Sequence, residues 1–134
     1  MSEENVEIAR RIYEGLGQGD FEPVWDLLDP DLVWETSPNL PDAGSYRGRE
    51  RVRAFMEEQW DIVWGGSPRV DIERTFDCGD DVLLFIRVRG RGSHTGIPLD
   101  VSIAQLVTLR DRKAVRVKVF PDRGEALKAA GLSE

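Results

Sequence analysis

The sequence predicts an α+β fold, in which a strongly curved antiparallel sheet wraps three N-terminal helices and a short helix closes the chain. Two patterns predict it. Apolar residues recur at helical spacing in the first half, and the period changes to two from Val70 onward. The resulting order is helix, helix, strand, helix, then four strands. Consecutive strands joined by short turns run antiparallel, and helices gathered before a long meander indicate α+β. The 134 residues fit one domain, 1–134.

Val6, Ala9, Ile12, Tyr13 and Leu16 mark the first helix, which ends in "GLGQGD". Those glycines close a helix instead of opening one after a strand, so they are a helix stop and not a phosphate loop. Phe21 to Leu28 reads as a second short helix with Asp20 as N-cap and Pro23 in its first turn, stopped by "DPD". "LVWET" alternates as a strand, and "SPNLPDAGSYRG" is a loop. "RERVRAFMEEQWDIVW" is the third helix, burying Val52, Phe55, Met56, Gln59 or Trp60, and Val63. Strands follow near 69–77, 81–92, 99–110 and 114–120.

Net charge −7 argues against a duplex-binding role, which draws on clustered Lys and Arg; the row Arg87, Arg89, Arg91 is local. The one cysteine, Cys78, excludes an internal disulfide, and no Cys–His cluster has metal-site spacing. Neither a cofactor nor a metal is expected. The acidic, amphipathic start is no signal peptide, and no apolar run approaches the roughly 20 residues of a membrane span. A cytoplasmic location is expected, without nucleic-acid or membrane partners.

Three stretches carry a family resemblance: "IYEGLGQGDFEPVWDLLDPDLVWE", "YRGRERVRAF" and "VRVKVFPDRGEALKAAGL". In this order and spacing the chain resembles the nuclear transport factor 2-like superfamily of cone-shaped α+β barrels. It looks most like the SnoaL-like and ketosteroid-isomerase-like members. The resemblance implies a deep, mostly apolar pocket between sheet and helices. Some members are enzymes and others bind or assemble, so the fold by itself licenses no activity.

The resemblance also places catalytic positions. Ketosteroid isomerase, a worked case of pKa tuning, uses an aspartate base, a tyrosine and a protonated aspartic acid. Those positions fall at Thr36, Ile12 and Ala104, none of which can do the work. One residue of register would bring Glu35 or Tyr13 into play instead. Strand alternation turns Trp34 and Thr36 toward the pocket and Glu35 away. The Asp–Arg–Asp set of the limonene-epoxide-hydrolase branch falls at Ile86, Val88 and Val119 and is missing. Asp122 in "FPD" is expected to cap the last helix. SnoaL-like cyclases carry a histidine in a Gly–x–His–x–Gly turn, which "GSHTG" matches with His94; their aspartate position lands near Ala104. Asp100 is the nearby substitute, so His94 and Asp100 are either an acid–base pair or a polar hairpin tip.

Alternation points Val82, Leu84, Ile86 and Val88 inward, with Ser102, Ala104 and Leu106 on the next strand and Val115, Val117 and Val119 on the last. Trp25, Trp34, Trp60 and Trp64 add aromatic surface, and Tyr46 lies in the adjoining loop. The opposite positions, Leu83, Phe85, Val101, Ile103, Val107 and Leu109, are also apolar. A homodimer through the outer sheet face is the expected cover. The leading expectation is therefore a soluble pocket protein binding a small apolar metabolite. An isomerase- or cyclase-type enzyme using His94 with Asp100, or Tyr46, is the alternative.

Overall fold

The computed structural model describes residues 2–17, 21–36, 44–64, 69–92 and 95–132, and the side chains of 2, 17 and 59–64 also lie outside that description. Helix α1 spans Ser2–Gly17 and buries Ile8, Ala9, Ile12, Tyr13 and Leu16 along one stripe. The second segment is a 3-10 helix, Glu22–Leu27, not an α-helix. Pro23 in its first turn removes a donor at little cost there. The expected cap Asp20 lies outside the described residues. α1 packs closely on this short helix: a Cβ added at Gly15 would come within 2.4 Å of Val24 Cγ1.

Strand β1, Leu28–Thr36, begins earlier than expected and runs through "DPD". Its pairing is irregular between Leu28 and Val33, which accommodates Pro30. A short strand β2, Ser45–Arg47, lies in the stretch read as loop. Helix α2 spans Arg49–Trp64, and β3 to β6 span Arg69–Cys78, Asp81–Arg91, Pro98–Arg110 and Lys113–Phe120. The sheet order is β2-β1-β6-β5-β4-β3. The meander pairs antiparallel as expected, but β1 and β6 are parallel. No short turn joins those two strands, so the antiparallel rule never applied to them.

Two buried clusters lie on opposite faces of the sheet. The inner one joins α1, the 3-10 helix and Val52 of α2 to Val82, Leu84, Ile86, Val107, Leu109, Val117 and Val119. The outer one joins Leu83, Phe85, Ala104, Leu106 and Phe120 to Ala126 and Leu127 of helix α3, Arg123–Ala129. Asp122 caps α3 as expected, accepting from the Gly124 amide at 2.9 Å. The apolar outer face is thus covered largely by the chain itself. That removes the stated reason for a homodimer. Leu83 and Phe85 lie under α3, while Ile103, Val107 and Leu109 face the helices.

Candidate functional site

The inward face of β5 carries Leu99, Val101, Ile103, Gln105, Val107 and Leu109. This corrects the expected register: Ala104 faces outward under α3, and Ser102 is exposed on the same side. The sequence misled because β5 is apolar on both faces, so alternation alone could not choose between them. On β6 an irregular register between Thr108 and Leu109 brings Ala114, not Val115, into the inner cluster. On β4 the expectation holds, with Val82, Leu84 and Ile86 buried and Val88 half-buried on the inner side.

Burial falls off along these strands. Ile86 is 1% exposed and Val88, the next inward residue, is half-buried. On β5, Val107 is fully buried and Gln105 is 6% exposed, whereas Ile103 is half-buried and Val101 is 42% exposed. The narrow half of the cone, around Val107, is therefore packed core, and along the wide half, at Val88, Ile103 and Val101, the described inward wall is apolar and progressively less buried. Ile12, Trp34, Val107 and Val117 with their neighbours surround a cavity of only about 10 Å³ in the narrow half. One water needs roughly 10–15 Å³ on the same measure, and a drug-sized ligand needs hundreds. Around these lining residues the protein's own side chains fill the interior.

At the boundary between the two halves sits the polar pair that sequence reasoning missed. The Tyr13 hydroxyl donates a hydrogen bond to Gln105 Oε1, and both side chains are buried. Burial drives the Tyr13 phenol pKa far above its ordinary value. These are the neighbours of Ile12 and Ala104, the positions the resemblance had assigned to tyrosine and aspartic acid. The available signal was the only amide among the inward apolar residues of β5, together with a tyrosine in the α1 stripe.

The other predicted residues separate into distinct settings. Trp34 is buried in the inner cluster, and Val119 lies near it on β6. Trp25 is half-buried under the Arg49 guanidinium, 4.6 Å from its ring centre. Arg49 Nη1 also donates to the Trp25 and Leu28 carbonyls at 3.2 and 3.3 Å, which ties α2 to the start of β1. Tyr46 pairs with Trp34 across β1 and β2 and stacks on Phe55, centroids 4.1 Å apart. Thr36 Oγ1 accepts from the Gly44 amide at 2.7 Å. The Trp60 and Trp64 side chains lie outside the described residues.

His94 also lies outside them. Asp100 faces outward, and both its oxygens accept from Arg87, at 2.7 and 2.5 Å. Arg87 holds the Asp100 carboxyl below the ordinary carboxylate range. Glu35 faces outward, as expected, and pairs with Arg116 at 2.8 Å. Cys78 is raised above the ordinary thiol value by burial and by Asp81 and Asp77. Among the described residues no group of three or more His, Cys, Asp or Glu is placed to hold a metal ion. No helix among them is long and apolar enough to cross a membrane.

No curated protein matches the chain. Solved structures show the same fold at low identity. A putative SnoaL-like polyketide cyclase from Jannaschia sp. CCS1 is 20% identical, with 98% of this chain and 94% of that one covered and a TM-score of 0.76. A protein with a ketosteroid isomerase-like fold from Catenulispora acidiphila DSM 44928, in complex with trimethylamine, is 16% identical over 95% and 94% of the two chains, TM-score 0.74. TerC, co-crystallised with polyporic acid, is 21% identical over 96% and 98%, TM-score 0.77. The SnoaL-like domain model matches residues 9–117, which is most of the chain, and the chain belongs to that family.

Proposed function

We propose that the chain binds a small, mostly apolar molecule in the wide half of the cone, with a polar end directed at the Tyr13–Gln105 pair. The observation that carries this reading is the burial gradient. Along β4 and β5 the inward residues stay apolar while burial falls from Ile86 to Val88 and from Val107 to Val101, and the buried polar pair lies beside that transition. Relatives solved with trimethylamine and polyporic acid are in keeping with small-molecule binding on this fold.

Binding is favoured over proton transfer. Among the described residues, the inward positions of β4, β5 and β6 hold no carboxylate, imidazole or amine to act as a base. A reaction through His94 and Asp100 is the alternative, and it requires Asp100 to leave Arg87. With α3 covering the outer cluster, a second copy is not needed for that cover.

The test is calorimetry with a ring ketone, 2-tetralone, beside its parent hydrocarbon, tetralin. The intact protein should bind both and prefer the ketone. Gln105→Leu should erase the preference while leaving hydrocarbon binding in place. Equal affinity for the two in the intact protein would remove the polar pair from the proposal. Failure of both to bind would remove the site.

A further inference from the structure

The outward face of the sheet is independent of the cone. The chain has a net charge of −7, yet cations gather on this face. Alternation turns Arg87, Arg89 and Arg91 outward along β4, and Arg69 stands opposite Arg89 on the edge strand β3. Two carboxylates pair with this group, and a third, Glu73, pairs with Arg123 and lies close enough to act on Arg87. Asp100 takes Arg87, and Asp71 is shared between Arg69 at 3.2 Å and Arg89 at 2.5 Å. Arg91 donates to the Gly96 carbonyl at 3.0 Å. Beyond α3 the same imbalance recurs: Arg47, Arg116 and Lys118 share an outward face with Glu35, which pairs with Arg116.

These side chains are partly accessible, although Arg89 Nε itself is buried. The side chains of Arg87 and Arg89 are each 41% exposed and that of Arg69 is 74% exposed. A guanidinium has five N–H donors, so the existing pairs leave donors over. Alternate residues of a strand lie roughly 6.6–6.8 Å apart. An extended segment with Asp or Glu at every second position presents its carboxylates at that same spacing, and arginine matches carboxylates two bonds at a time.

We infer that this face docks an extended acidic segment of a partner protein, with alternate carboxylates lying along the Arg87–Arg89–Arg91 row. A nucleic-acid strand fits less well. The outward rings on this side, Phe76 and Phe85, lie under Arg74 and Arg123, with the guanidinium carbons 4.5 and 4.6 Å from the ring centres, and offer bases no platform. A second copy placed face to face would oppose like charges. The acidic remainder of the surface disfavours contact with an acidic segment elsewhere, leaving this face as the place where attraction is local.

The test is fluorescence anisotropy with a labelled peptide of alternating glutamate and serine, roughly ten residues or ~33 Å when extended. A peptide of the same composition with its glutamates contiguous is the comparison. The alternating peptide should bind at low ionic strength about tenfold more tightly than the block peptide, and added salt should weaken it. Arg87→Glu with Arg89→Glu should abolish binding. Because those residues hold ion pairs within the sheet, Arg91→Ala is the second variant: its described hydrogen bond goes to a turn carbonyl, so the sheet stays intact while affinity falls severalfold. The inference is overturned if neither peptide binds, if the two bind alike, or if oligothymidylate of matching length binds more tightly. It is overturned equally if sedimentation shows a dimer that Arg91→Ala dissociates.

Discussion

Tyr13 holds a phenol where its charged form has no solvent. Its pKa is raised in the folded state above the ordinary value of 10.0, and burial is the cause. The sign follows. Below pH ~10 the phenol is neutral in both states and its contribution to stability is complete. Above that, the unfolded chain releases a proton that the folded chain keeps, so stability falls as pH rises toward the folded value. Urea denaturation between pH 8 and pH 11 should show this alkaline loss, flattened in Tyr13→Phe. At neutral pH the same variant leaves the Gln105 oxygen without its donor and should cost about 1–3 kcal/mol. An unchanged alkaline slope in Tyr13→Phe would show that the phenol meets solvent. The sequence placed Tyr13 in the α1 stripe and raised it as a register alternative. It could not place Gln105, because both faces of β5 read as buried.

At the scale of elements, α3 and the α1 contact with the 3-10 helix carry distinct predictions. Leu127 is buried against Leu83, Phe85 and Leu106. Leu127→Ala should cost about 2–4 kcal/mol by transfer and cavity effects together. Ala104→Asp should also destabilise by a few kcal/mol, because a carboxylate would enter the dry contact under α3. A neutral outcome in denaturant for both would mean that α3 is not docked on the sheet. Gly15→Ala gains about 1 kcal/mol of helix propensity, but its new Cβ meets Val24, a buried side chain. Overpacking costs about 1–3 kcal/mol, so the net effect should be destabilising. Truncating the partner as well, Gly15→Ala with Val24→Ala, should recover part of the loss. The strands of the meander were legible to within about two residues, because alternation and turns agree there. β2 was not legible: its three residues are too few to show a period, and pairing with β1 alone defines it. The β5–β6 turn is a further local exception. Asp111 and Arg112 both adopt positive φ, 52° and 66°, where glycine or asparagine is the usual choice, and Arg112 pairs with Glu4 of α1.

Over the whole molecule, the curved sheet has two faces with separate chemistry. Among the described residues, the inner face is apolar with one buried polar pair, and the outer face is a helix-covered apolar cluster flanked by arginines. Helix-then-meander order sufficed to read the α+β class, since it depends on periodicity summed over long segments. How far the cone is filled was not readable, because that depends on which helix side chains reach past the sheet wall. The inner cluster is tightly packed around Val107 and Trp34, and burial of the inward wall declines toward Val88, Ile103 and Val101. Methyl-resolved NMR during a titration with 2-tetralone checks whether a ligand enters at the less buried end of the inner wall. Shifts are expected at Val88 and Ile103, at Ile72 of β3, which pairs with Ile86 and packs on the inner cluster, and at the Gln105 side-chain amide, while Leu83, Leu106 and Leu127 stay unmoved. Shifts confined to those outer-cluster leucines, or none at millimolar ketone, would contradict such entry.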